Sequence, residues 1–114
     1  MRIEIITEPI TRAEAGEIAK EVYGTMVKGV ADLEKGIIAL GGKWHMDANT
    51  RLTEFGSAQD AVWGFNLYPE KNGEERIEYY ALINIRPAQG NRDMYIEDAT
   101  IREKIHDIVS RLVP

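Results

Sequence analysis

The sequence contains no cysteine, only two histidines and only two serines, Ser57 and Ser110. The absence of cysteine excludes disulfides, thiolate nucleophiles and cysteine-ligated zinc or iron–sulfur sites. Serine hydrolysis is not indicated either, because neither serine stands in a nucleophile elbow. Few combinations of residues therefore remain for acyl-transfer or metal-hydrolase chemistry. Composition does not exclude paired carboxylates, but no spacing selects a pair.

Basic charge is also scarce. The chain has 14 lysines and arginines against 19 aspartates and glutamates, a formal net charge of −5, and no basic run. Binding to nucleic acid or to anionic lipid requires a basic surface, so neither nucleic acid nor a membrane is predicted as a partner. The N-terminal residues lack a basic segment followed by a long apolar stretch, which leads us to expect a cytoplasmic protein.

The composition that remains, 44% hydrophobic and 29% charged, is typical of a soluble globular protein, and residues 1–114 are predicted to form one domain. Periodicity predicts a strand over residues 2–7, a helix that begins at Thr11, a hairpin over 27–40 and a helix over 47–55. Two more strands and a final helix from Asp98 or Thr100 complete the order β-α-β-β-α-β-β-α. This order favours an α+β domain, with an antiparallel or mixed sheet of about five strands and three helices.

The last two predicted strands lie between Ala61 and Arg86 and flank Asn72-Gly73, a dipeptide that favours a tight turn. A two-residue turn would place Phe65 opposite Tyr80 and would mix polar and apolar side chains on one face. A shift of one residue unites the apolar sets, so we expect a bulge or a longer loop. The alternative is a sheet that is covered on both faces.

Four blocks of the sequence stand out together, and they are Gly41–Asp47, Gly56–Ser57, Trp63–Pro69 and Ile83–Arg92. With these blocks the chain resembles a small prokaryotic family that is catalogued only as a domain of unknown function. The resemblance spans nearly the whole chain, its most specific part runs from Leu82 to Arg92, and it implies no activity. That family often has an acidic residue where this chain has Asn49, a departure that weakens any metal site built from this turn.

A first candidate site combines His45-x-Asp47 with Ser57-x-x-Asp60. The pattern resembles a degenerate JAMM-type metalloprotease site, with His45, Asp47 and Asp60 as metal ligands and Glu21 as general base. Aspartate replaces the second histidine of that pattern, and one imidazole with two carboxylates makes a poorer zinc site. In the alternative interpretation, Asp47 caps a helix, Ser57 caps a turn and His45 makes an ordinary hydrogen bond.

A second candidate site is the tract from Asn84 to Arg92. Arg86 and Arg92 carry planar guanidinium groups suited to a carboxylate or phosphate, and Gly90 allows close approach to the backbone. The alternative is that both arginines pair with acidic residues and stiffen a long loop. If folding gathers these groups, they form a polar pocket for an anionic small molecule, lined by His45, Asn66, Asn84, Arg86, Asn91 and Arg92.

Two functional hypotheses follow. The favoured one is a small ligand-binding or protein-interaction domain that uses no cofactor, and the competing one is a metal-dependent hydrolase. The sequence leaves open whether the chain is an enzyme. It also leaves the oligomeric state open, although an exposed strand edge or aromatic patch would favour a homodimer.

Overall fold

The computed structural model describes residues 1–114, and the predicted order of elements is confirmed. The chain is an α+β protein with three helices and a five-stranded antiparallel sheet. The strands are β1 (Ile3–Ile6), β2 (Val27–Asp32), β3 (Ile37–Gly41), β4 (Val62–Leu67) and β5 (Ile77–Glu78). The helices are α1 (Arg12–Lys20), α2 (His45–Glu54) and α3 (Ala99–Leu112).

Helix boundaries follow from hydrogen bonds at the helix ends. Thr11 accepts from the Glu14 amide, as the capping pattern predicts, and Asp98 accepts from the Thr100 amide at the start of α3. Helix α2 begins at His45, two residues before the predicted start, because Asp47 accepts from the Trp44 amide within the first turn. None of the three helices is long and apolar enough to cross a membrane.

The strand order in the sheet is β1-β3-β2-β4-β5, so β2 lies in the centre and β5 at one edge. Strand β5 pairs Ile77 with Leu67 and Glu78 with Asn66. This register differs by one residue from the Phe65–Tyr80 pairing of a two-residue turn, so the predicted shift is confirmed. The longer loop over residues 68–76 contains a 3₁₀ turn at Gly73–Arg76 and produces the shift.

Strand β5 is much shorter than the alternation of the sequence predicts. After Glu78 the chain forms isolated bridges and 3₁₀ turns at Leu82–Asn84 and Pro87–Gln89. The tract that was predicted to be a strand as far as Arg86 is therefore mostly a loop. It is held against β4 by side-chain hydrogen bonds, which the alternation of apolar and polar residues cannot predict.

Apolar side chains cover both faces of the sheet. One face packs against α1 and α3 in a cluster that includes Phe65, Leu67 and Ile105. The other face packs against α2, where Ala48 and Leu52 contact Val30, Ala39 and Val62. Helix α2 packs on β1, β2, β3 and the start of β4, and the remaining part of this sheet face, around Lys28 and Asn66, forms a surface with other segments.

The core tolerates no side chain at Gly29 in the central strand. A carbon added there would lie 2.4 Å from the Phe65 ring and 2.9 Å from Leu40. We predict that Gly29→Ala lowers the free energy of unfolding by about 2 kcal/mol, because the ring must move within a packed core. Chemical denaturation measures the change.

The matched control is Gly16→Ala in α1, where an added carbon meets nothing within 4 Å. This change is expected to raise the free energy of unfolding by about 0.8 kcal/mol through helix propensity. Equal effects at the two positions would contradict the packing argument.

Candidate functional site

Asn84, one of the six residues predicted to line a pocket, is instead fully buried against β4. Its amide nitrogen donates to the Gly64 carbonyl at 3.0 Å, and its amide oxygen accepts from the Gly64 N–H at 2.8 Å. The side chain therefore supplies the same pair of hydrogen bonds that a neighbouring strand would supply. It belongs to the structure of the sheet edge and does not face the solvent.

Arg86 is also bound to the protein's own backbone. Its guanidinium donates to the carbonyls of Ile83 at 2.9 Å, Gln59 at 3.1 Å and Val62, and it lies over the Trp63 ring at 4.6 Å. The partners are backbone carbonyls, so these contacts differ from the predicted pairing of Arg86 with an acidic side chain. Arg86 joins the loop to the start of β4.

Asn91 organises the same loop. Its amide nitrogen lies within hydrogen-bond distance of the carbonyls of Asn84, Asp93 and Tyr95, and its oxygen accepts from the Glu97 amide. Arg92 is exposed and makes no hydrogen bond or ion pair through its side chain. Asn84, Arg86 and Asn91 thus hold the segment 81–97 in place, and none of the four residues of this tract joins His45 in a pocket.

The alternative metal site is not assembled. No group of three or more histidine, aspartate or glutamate side chains is placed to hold a metal ion, so His45, Asp47 and Asp60 do not form the predicted cluster. The Asp47 carboxylate is occupied by the amides of Lys43 and Trp44. Glu21 forms an ion pair with Arg2, and a hydrogen bond from the Arg2 amide lowers the pKa of Glu21, which makes it a poor general base.

Two of the predicted residues, His45 and Asn66, do share a cavity. It has a volume of about 520 Å³ and lies between the start of α2, the uncovered part of the sheet face and the loop after β5. We call it the α2 groove. Its lining residues are Lys28, Trp44, His45, Met46, Asn66, Tyr80, Ala81, Leu82, Ile83 and Met94.

His45 lines the α2 groove and is only 7% exposed. Its Nε2 lies 2.9 Å from the Phe65 carbonyl oxygen. Burial lowers the pKa of His45 from 6.5 to about 4, against the opposing effect of this carbonyl, and the nearby Lys28 lowers it further. The imidazole is therefore neutral at neutral pH.

Lys28 also lines the α2 groove, and the sequence interpretation did not include it. It lies beside Asn66 in the pairing of β2 with β4, and it is the only lining residue of the groove that is charged at neutral pH. The available signal was a lysine inside the central strand, on the face opposite Val27, Gly29 and Ala31. A charged side chain at such a position indicates that the core does not cover this end of the strand.

Comparison with known families identifies the family of the chain. Residues 4–112 match the model of a family described as protein of unknown function, DUF5674. The chain belongs to this family. The resemblance expected from the four sequence blocks is confirmed, and the family description assigns no activity. A search of curated proteins and a search of solved structures found no match.

The buried imidazole of His45 makes the stability depend on pH. Because the folded-state pKa of about 4 lies below the ordinary histidine value of 6.5, protonation favours the unfolded chain as the pH falls between these two values. We predict that this group alone lowers the free energy of unfolding by up to about 3 kcal/mol across that range. The comparison is His45→Gln, which keeps an N–H donor for Phe65 but does not titrate. Urea denaturation of both proteins from pH 4 to pH 7 measures the difference, and parallel pH profiles would contradict the assignment.

The Asn84 hydrogen bonds give a second stability prediction. Asn84→Ala leaves a buried N–H and a buried carbonyl of Gly64 without partners, so we expect the free energy of unfolding to fall by about 3 kcal/mol. The Gly64 amide should also lose protection in hydrogen exchange. The control is Asn72→Ala, an exposed asparagine that accepts only from Arg12, with an expected loss below about 1 kcal/mol. Similar losses in the two variants would show that the Gly64 contact is unimportant.

Proposed function

We propose that the protein binds a small organic anion with an apolar body in the α2 groove. The observation that carries this proposal is the state of Lys28. It is the single charged lining residue, it has no carboxylate within ion-pair distance, and its nearest aromatic contact is the Tyr23 ring at 5.4 Å. In a chain with net charge −5, an ammonium without an acidic partner beside an apolar groove favours a carboxylate ligand.

The walls of the groove supply the apolar contacts. Trp44, Met46 and Leu82 are 58%, 52% and 69% exposed, which is unusual for large apolar side chains that face the same cavity. Burial of such surface by a ligand is favourable, and the unbranched methionines Met46 and Met94 can adjust to its shape. The volume of about 520 Å³ lies within the range of small-molecule sites.

The anion-binding group differs from the one that the sequence suggested. Arg86 is occupied by backbone carbonyls, and Arg92 does not line the groove. Lys28 takes the place of both arginines in the proposal, while His45 and Asn66 keep their predicted places. An ammonium is a compact charge without the planar fork of arginine, so a single carboxylate oxygen is sufficient to pair with it.

The test uses 3-phenylpropionate and its neutral analogue 3-phenylpropionamide as probes, with amide chemical shifts followed by NMR. We expect 3-phenylpropionate to shift resonances of Trp44, Met46 and Leu82, and we expect Lys28→Met to raise its dissociation constant by about tenfold. Lys28→Met removes the charge and keeps most of the apolar stem. The amide probe should bind both proteins with similar affinity.

The matched control is Lys104→Met on the exposed surface of α3, which changes the net charge equally but lies outside the groove. Its affinity for 3-phenylpropionate should equal that of the unchanged protein. If no probe shifts the resonances of the groove residues, the prediction that this site binds a small molecule is wrong. If both lysine variants bind 3-phenylpropionate equally well, the groove does not select an anion.

A further inference from the structure

The polar end of the α2 groove contains hydrogen-bond acceptors that lack donors. The clearest one follows from the contact between His45 and Phe65. A carbonyl oxygen can only accept, so the Nε2 that lies 2.9 Å from it must carry the proton. In the neutral imidazole the other nitrogen, Nδ1, then carries a lone pair and acts as an acceptor.

The only hydrogen bond of the ring with normal geometry is the one from Nε2 to Phe65, although the Asn66 side chain lies close enough to raise the pKa of His45 slightly against the effect of burial. Nδ1 is not sealed away from solvent. The enclosed side-chain atoms that lack partners are four others, namely Asp32 Oδ2, Ser57 Oγ, Asn66 Oδ1 and Arg76 Nε. Because His45 lines the groove and is otherwise buried, the accessible part of its ring adjoins the groove. A ligand in the groove meets an acceptor at this point.

Asn66 repeats the same pattern next to His45. Its amide nitrogen faces two oxygens, Glu78 Oε1 at 3.4 Å and the Tyr80 carbonyl at 3.5 Å. This placement turns Oδ1 to the other side, where it has no donor. Because Asn66 Oδ1 is enclosed, the groove offers a ligand one cation, Lys28, and one unpaired acceptor, Nδ1 of His45.

We propose that the occupant of the α2 groove carries an O–H or N–H donor beside its acidic group, and that this donor hydrogen-bonds to Nδ1 of His45. The inference rests on the proposed function, since it concerns the same groove and the same anion. Lys28 lies across from Asn66 in the strand pairing and lines the same cavity as His45, so one small ligand can reach both the ammonium and the imidazole. A carboxylic acid with a hydroxyl on the adjacent carbon has this arrangement.

Selectivity for such a ligand follows because a ligand that lacks the hydroxyl loses binding free energy. A ligand without the hydroxyl displaces water from Nδ1 and leaves the acceptor unpaired in a low-dielectric site. Sites built to hydrogen-bond a substrate hydroxyl reject analogues that lack it more strongly than apolar contacts alone can. The groove should therefore distinguish two acids that have the same ring and the same carboxylate.

The experiment compares 3-phenyllactate with 3-phenylpropionate, which differ only in the hydroxyl beside the carboxylate. At neutral pH we expect 3-phenyllactate to bind about fivefold more tightly, as measured by NMR titration. Its binding should also move the ¹⁵N resonance of His45 Nδ1, because a lone pair that accepts a hydrogen bond changes its shielding. This measurement uses the unchanged protein, so it does not depend on the folding of a variant.

His45→Met removes the acceptor, and in this variant both acids should bind with equal affinity. The control is His106→Met on the exposed side of α3, which should keep the preference for 3-phenyllactate. Equal affinities of the two acids for the unchanged protein, with a stationary Nδ1 resonance, would overturn this inference and leave the anion site intact. If neither acid shifts the groove residues, the inference and the proposed function are both wrong.

Discussion

The pair of hydrogen bonds between the Asn84 side chain and the backbone of Gly64 is the contact on which the rest of the structure depends. It satisfies the outer edge of β4 at a point where β5 has already ended. Gly64 permits the close approach, because a side-chain carbon there would lie 2.5 Å from Ala81. The segment 81–97 is thereby held on the sheet, and with it one wall of the α2 groove.

The same constraint decides how the polar residues of this protein are used. A loop that lies on a sheet brings backbone carbonyls out of water, and each carbonyl needs a donor. Arg86 and Asn91 supply several donors each, and these donors are hydrogen-bonded to backbone carbonyls of the protein. What remains for a ligand is the set of groups that the loop does not need, namely Lys28 and the unpaired Nδ1 of His45.

Much of the fold could be predicted because it depends on neighbouring residues. The caps at Thr11 and Asp98, the stripe of α3 and the order of elements follow from periodicity and short-range hydrogen bonds. The one-residue shift of β5 was also predictable, since only that register places Leu67 and Ile77 on one face. The length of β5 could not be predicted, because the alternation of apolar and polar residues continues to Arg86. In the structure β5 ends at Glu78, and beyond it the side chain of Asn84 bonds the backbone of β4 in place of a strand.

The sequence by itself determined the α+β order, the register of the last hairpin and the family to which the chain belongs. Only the tertiary structure decided which of the predicted site residues face the α2 groove. The physical reason is that a donor such as Asn84 or Arg86 binds the nearest unsatisfied carbonyl. Those carbonyls, on Gly64 and Val62, lie 20 and 24 residues away along the chain and become neighbours only when the sheet has formed.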